Sequence, residues 1–250
     1  MTDDSRPTGA QQGWLLLGVR VDDVTYQEAL EQIEQCVQTG TLCQIATVNV
    51  EFIMEARRNP EFRRALAEAR LCVPDSVGVS WAARRCGSPL RERVAGVDLV
   101  ERIAARAPEK GWRIYFLGAA PGVAERAASV LAERYPGLEI AGCYAGSPQP
   151  EDEYALVQRI QTSRPDVLLV AYGAPRQDLW IARNQARIGV AVAMGVGGSF
   201  DYIAGVARRA PAWVRRAGLE WLHRLIRQPW RLRRQLAIPR FVLLVLLGRR

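Results

Sequence analysis

Five short segments offer small, polar or acidic residues where a folded backbone could present them to a ligand. They are Thr47-Val48-Asn49, Pro74-Asp75-Ser76, Gly118-Ala119-Ala120-Pro121-Gly122, Gly173-Ala174-Pro175-Arg176-Gln177 and Gly195-Val196-Gly197-Gly198-Ser199-Phe200-Asp201. A sixth, Glu92-Arg93-Val94-Ala95-Gly96, adds an arginine. Asp75 could act as a general base if a substrate hydroxyl lies beside it. It could equally cap a helix that begins near Ser76. Asp201 carries the same two readings. Arg93 could clamp a phosphate with its planar fork, or be a solvated surface charge. The glycines at 118, 122, 195, 197 and 198 would let backbone N–H groups approach a phosphate at helix N-termini, or simply permit tight turns.

Other chemistries are excluded or weakened. His223 is the one histidine, so a site built on two or three histidines is impossible. No DxD pair offers itself as ligands for a metal-bridged sugar nucleotide. Neither GxGxxG nor GxxxxGK[ST] occurs, which weakens a dinucleotide-dependent oxidoreductase and a P-loop enzyme. Cys36, Cys43, Cys72, Cys86 and Cys143 are odd in number and lack a CxxC, a pattern of reduced thiols rather than a disulfide framework. If a diphosphate leaves this site, arginines and backbone N–H groups must offset its charge. No cofactor is expected.

These segments need elements to hold them. Apolar runs at 14–21, 43–48, 71–73, 112–117, 138–144, 167–172 and 190–194 read as strands. Helical spacing is found over 25–38, 60–69, 97–107, 121–134, 151–163 and 176–186. Thr25 and Glu28 form a capping box at the first helix and Gly40 ends it. Strands apolar on both faces, alternating with helices, imply a Rossmann-like α/β fold: a parallel sheet covered by helices on both sides. In such a sheet ligands bind beyond the carboxyl ends of the strands, where the segments above fall.

The 250 residues are 49% hydrophobic and 24% charged, as in a globular protein, with net charge +8. The charge is uneven. Residues 208–250 hold twelve arginines and one acid, Glu220, for +11, leaving −3 on 1–207. The chain therefore divides into a 14–207 core and a 208–250 arginine-rich helical appendage, broken at Pro229 and near Pro239. The longest apolar run, 241–247, spans roughly 10 Å as a helix, too short for a membrane span. Arginines interleaved with tryptophan and leucine suit docking on an anionic membrane surface. Clustered arginine also suits a basic nucleic-acid-binding protein, but no motif of that class is present. The polar N-terminus carries no signal peptide, so a cytoplasmic protein is expected, peripheral on the inner face of the membrane.

Taken jointly, the segments resemble the WecG/TagA/CpsF glycosyltransferases (glycosyltransferase family 26) over roughly residues 14–240. Phe116-Leu117-Gly118, Tyr172-Gly173, Arg209-Ala210-Pro211 and Gly218-Leu219-Glu220-Trp221-Leu222 extend the match. The resemblance implies an inverting, metal-independent transfer of an N-acetylmannosamine-type sugar from a UDP-sugar to a polyprenyl-diphosphate-linked sugar in cell-surface polysaccharide synthesis. It implies Asp75 as catalytic base in a pocket lined by Thr47, Asn49, Arg93 and Gln177, with Asp201 and the Gly195–Gly198 turn near the UDP-sugar. It further implies that Arg224, Arg231 and Arg234 of the appendage close over the pocket and stabilise the diphosphate. Family members usually have glycine where this chain has Ser76, so strain beside Asp75 is expected. They often carry an aromatic where this chain has Gly146-Ser147-Pro148, a contact Tyr144 could supply. A homo-oligomer is left open.

Overall fold

The computed structural model describes residues 13–211, 214, 221, 222, 225 and 236–248. Six strands form one parallel sheet in the order β4-β3-β8-β7-β5-β6. They are β3 (Cys43–Val48), β4 (Leu71–Pro74), β5 (Arg113–Gly118), β6 (Glu139–Tyr144), β7 (Val167–Ala171) and β8 (Val192–Gly195). Strands β3, β4, β7 and β8 are buried along their whole length, as apolar runs covered on both faces must be.

One face carries α1 (Tyr26–Thr39), α5 (Gly96–Lys110), α6 (Val123–Arg134) and α9 (Ser199–Ile203). The other carries α2 (Val50–Ala56), α3 (Pro60–Glu68), α4 (Val77–Arg85), α7 (Pro150–Ser163), α8 (Arg176–Ile188) and α10 (Ala237–Leu246). The α/β fold and its parallel sheet match the sequence reading. So does the start of α1, where Thr25 Oγ1 accepts from Glu28 N–H and the Glu28 carboxylate accepts from Thr25 N–H. Gly40 closes the helix in the left-handed region.

Three local expectations need correction. Residues 14–21 are not one strand of the sheet. They form an antiparallel hairpin, β1 (Gly13–Leu16) and β2 (Val19–Asp22), turned at Leu17 and Gly18 with φ of 50° and 81°. Positive φ at both turn residues matches the strand twist, but leucine gives no hint of it. Pro121 does not open α6, whose N-cap is Gly122, so Pro121 lies in the preceding turn. Helix α2 follows β3 directly with Asn49 as its cap, where no helix was expected.

Most of the appendage, including the two proposed helices around Pro229, lies outside the described residues. Its described final part is α10, which buries Phe241 and Val245 in one apolar cluster with α2, α3, α4 and the hairpin.

Candidate active site

The helices after β3 and β7 lie on one face, and those after β8 and β5 on the other. Neighbouring strands whose connections diverge leave crevices at the carboxyl edge. Here that divergence occurs on both sides of β8 and on both sides of β5, and the candidate residues fall chiefly at two of these places, β3/β8 and β7/β5.

Asp75 follows β4 at the first of these. Its N–H donates to Val48 O at 2.9 Å, tying the ends of β4 and β3. It does not cap α4. Ser76 does, its hydroxyl accepting from Val79 N–H at 3.4 Å. Ser76 has φ −114°, ordinary extended backbone, so the strain expected from replacing glycine is absent. Asp75 Oδ1 instead accepts from Gly96 N–H, the first residue of α5, at 2.6 Å. A carboxylate at a helix N-terminus gains from the dipole and from a charge-assisted bond. Arg93 Nη1 donates to the Asp75 carbonyl oxygen at 3.3 Å, and Val94 N–H donates to Pro74 O at 2.9 Å. Arg93 is therefore folded over the Asp75 backbone rather than extended into solvent.

Thr47 is buried, its hydroxyl donating to Gly195 O at 3.1 Å. Its methyl packs under Gly96, where a Cβ would lie 3.0 Å away. Asn49 caps α2 through Oδ1, which accepts from Phe52 N–H at 3.1 Å. Gln177 is buried and staples two turns: Oε1 accepts from Gly173 N–H at 3.0 Å and Gly197 N–H at 2.9 Å. Gly195 has no room for a side chain, since a Cβ would sit 2.5 Å from Gln177 Nε2 and 2.9 Å from Asp178 Oδ1. Thr47, Asp75, Arg93, Gln177, Gly195 and Gly197 thus form one connected cluster, with Asn49 at its β3 edge.

Gly118 and Gly122 belong to the second crevice. Gly118 has φ +99° and its Cβ would meet Ala171 backbone at 2.8 Å, so only glycine lets β5 and β7 end this closely. Gly122 is the α6 N-cap at φ +81°. Gly198 caps α9 with φ −87°, a conformation open to any residue. Asp201 lies inside the first turn of α9, so it is not a cap, and its backbone carbonyl accepts from Ala207 N–H. At the sheet edge Tyr144 is 39% exposed, with the Arg159 guanidinium 4.3 Å from its ring centroid. Arg224, Arg231 and Arg234 lie outside the described residues. Among the described residues no group of three His, Cys, Asp or Glu side chains could hold a metal ion.

One residue of the site escaped the sequence reading. Asp178, beside Gln177, is fully buried. Neither carboxylate oxygen has a hydrogen-bond partner of ordinary geometry. Burial pushes its carboxyl up to about 7, and the nearby Gln177 amide and its own N–H offset this only in part. A signal existed: Asp178, Asn184 and Gln185 all lie on the buried face of α8, where an apolar face was expected.

A sequence model of the family described as "Glycosyl transferase WecG/TagA/CpsF family" matches residues 14–250. A protein of Bacillus spizizenii is 39% identical over 202 residues, 81% of this chain and 78% of its own length. Its counterpart in Bacillus subtilis is 36% identical over the same shares. One in Staphylococcus aureus strain MW2 is 32% identical over 229 residues, 91% of this chain and 89% of its own. All three are named N-acetylglucosaminyldiphosphoundecaprenol N-acetyl-beta-D-mannosaminyltransferase.

Proposed function

The chain belongs to the WecG/TagA/CpsF family and is a glycosyltransferase, and from that premise we propose its substrates and the roles of its residues. The donor is a UDP-sugar of the N-acetylmannosamine type. The acceptor is a polyprenyl-diphosphate-linked sugar, N-acetylglucosamine as in the names of the relatives. The observation that carries this reading is the Asp75 carboxylate, held by Gly96 N–H where β3, β4 and β8 end, among Thr47, Arg93 and Gln177.

The acceptor hydroxyl attacks the anomeric carbon from the face opposite UDP, and Asp75 takes its proton. The bond from the anomeric carbon to the diphosphate oxygen breaks, and its electron pair leaves with UDP. Arg93 and the appendage residues Arg224, Arg231 and Arg234 offset the growing charge. The Gly195–Gly198 turn lies toward the donor, with Asp201 just beyond it. Preorganised donors of this kind supply several kcal/mol in a water-poor site. Gly118 and Gly122 lie on the nucleotide side of the donor in this reading, while Tyr144, at the opposite edge of the sheet from β4 and stacked against Arg159, is left out of it.

A lipid-linked acceptor supports a peripheral position at the inner face of the cytoplasmic membrane. No described helix is long and apolar enough to cross a membrane. Three neighbouring elements, β1, α4 and α10, carry no acidic residue. Trp14, Leu15, Val77, Trp81, Leu243, Leu246 and Leu247 are exposed on or just beyond them, as are Arg84, Arg85 and Arg240. Exposed apolar side chains among cations suit an anionic bilayer surface. Because α4 begins two residues after Asp75, this surface adjoins the site.

The test is Asp75→Asn. We expect turnover to fall about a hundredfold or more, while calorimetric binding of the UDP-sugar is retained. Near-normal turnover would remove Asp75 as base.

A further inference from the structure

The first turn of α5 holds more than the Asp75 carboxylate. Ala95 N–H donates to Tyr26 Oη at 2.8 Å, next to the Gly96 bond, and the Tyr26 hydroxyl reaches Asp98 Oδ2 at 3.4 Å. Asp98 accepts both ends of the Arg209 fork, Nη1 to Oδ1 at 2.5 Å and Nη2 to Oδ2 at 2.9 Å. The two side chains are 32% and 22% exposed. A bidentate arginine-carboxylate pair fixes geometry as well as charge. Arg209 stands just past the α9 end of the core, and the next residue, Ala210, is buried. Hydrogen bonds therefore run from Asp75 through the α5 N-terminus and Tyr26 to Arg209, the second residue of the basic segment.

We propose that Asp98 and Arg209 are a positioning pair, which fixes the α5 turn that holds Asp75 and roots the 208–250 segment beside the catalytic centre. Asp98 and Asp75 are two carboxylates at one helix terminus, and Arg209 balances the one that does not react. Among the described residues, the other charged or titratable groups around this turn include Glu92 and Arg93 before it, Tyr26 on α1, Arg102 on α5 and, on the packed helix α9, Asp201. Glu92 accepts from Tyr26 N–H, and the Arg102 guanidinium lies 4.3 Å from the Tyr26 ring centroid. The catalytic part of this proposal rests on Asp75 being the base.

The full-length chain is assayed with Asp98→Asn, Arg209→Gln, both together, and Arg209→Lys. Each single change lowers kcat about ten- to hundredfold, the scale of a small misplacement of a reacting group. The double variant is no worse than the poorer single, the mark of one shared interaction. Arg209→Lys recovers part of the loss. The acid limb of the pH-rate profile moves up in Arg209→Gln and down in Asp98→Asn, because one removes a cation and the other an anion near Asp75. Hydrogen exchange at Ala95 to Asp98 quickens in both, with melting temperatures within a few degrees of the parent. Unchanged kcat in folded protein, additive losses, or limbs moving the same way would overturn the pair. Should Asp75→Asn keep its turnover, the base reading fails by itself and exchange decides the pair: faster exchange supports it and unchanged exchange removes it.

Discussion

Asp75 and Asp178 lie at the same edge of the sheet in opposite surroundings. Asp75 is half-buried with a helix N-terminus against it, while Asp178 is sealed under the Gly195 turn without a regular partner. With its folded value near 7 against 3.8 for the free side chain, Asp178 takes up a proton on folding between those values. Its contribution to stability is complete below about pH 4, falls as pH rises to about 7, and is then level, with a slope of at most about 1.4 kcal/mol per pH unit. Asp178→Asn should abolish that fall, as read by urea unfolding at pH 5, 6, 7 and 8; parallel curves for parent and variant would refute it. Gly195→Ala drives a methyl against Gln177 and should cost about 1–3 kcal/mol, with weakened UDP-sugar binding as the Gly173 and Gly197 N–H groups lose their acceptor. The sequence pointed to Gln177 through a family motif. Its work as a staple depends on two turns, 173 and 197, being neighbours, which only the strand order β8-β7 decides.

At the level of elements, legibility followed how local the physics is. The α1 cap is written in Thr25 and Glu28, three residues apart, and was read correctly. Thr25→Ala should lower stability by about 1 kcal/mol, measurable as a lower melting temperature with the fold retained. The hairpin hid because its turn is Leu17-Gly18 inside an apolar run, with only the glycine hinting at reversal. Helix α2 hid because Val50-Glu51-Phe52-Ile53-Met54 continues the apolar character of β3, so only Asn49 marks the change. Asp75 reads from sequence as base or cap; the structure gives the α4 cap to Ser76 and turns the Asp75 carboxylate toward the α5 N-terminus, a contact 21 residues away along the chain.

For the molecule as a whole, charge and apolar exposure point the same way. The acidic body and basic segment were visible in the residue count, but the acid-free surface was not, since β1, α4 and α10 are far apart in sequence. If this surface meets the membrane, Leu243→Glu with Leu246→Glu should greatly reduce sedimentation with anionic phosphatidylglycerol vesicles. Turnover on a water-soluble, short-chain acceptor should be kept. Raising salt should weaken vesicle binding of the parent, because the electrostatic part is screened. Binding indifferent to both changes would refute the assignment.

The apolar cluster that joins Leu16, Leu17, Val19 and Val21 to Phe241 and Val245 also sets a timetable. Translation delivers the hairpin well before α10, some 220 residues earlier, about ten to forty seconds at rates of 5–20 residues per second. During that interval the hairpin and α2 present a greasy, half-finished layer to solvent. A ribosome that stalls short of α10 leaves this layer open, with Asp75 already seated on α5. Synthesis of α10 is thus the event that covers this layer, and a copy lacking it would be sticky before it could be useful.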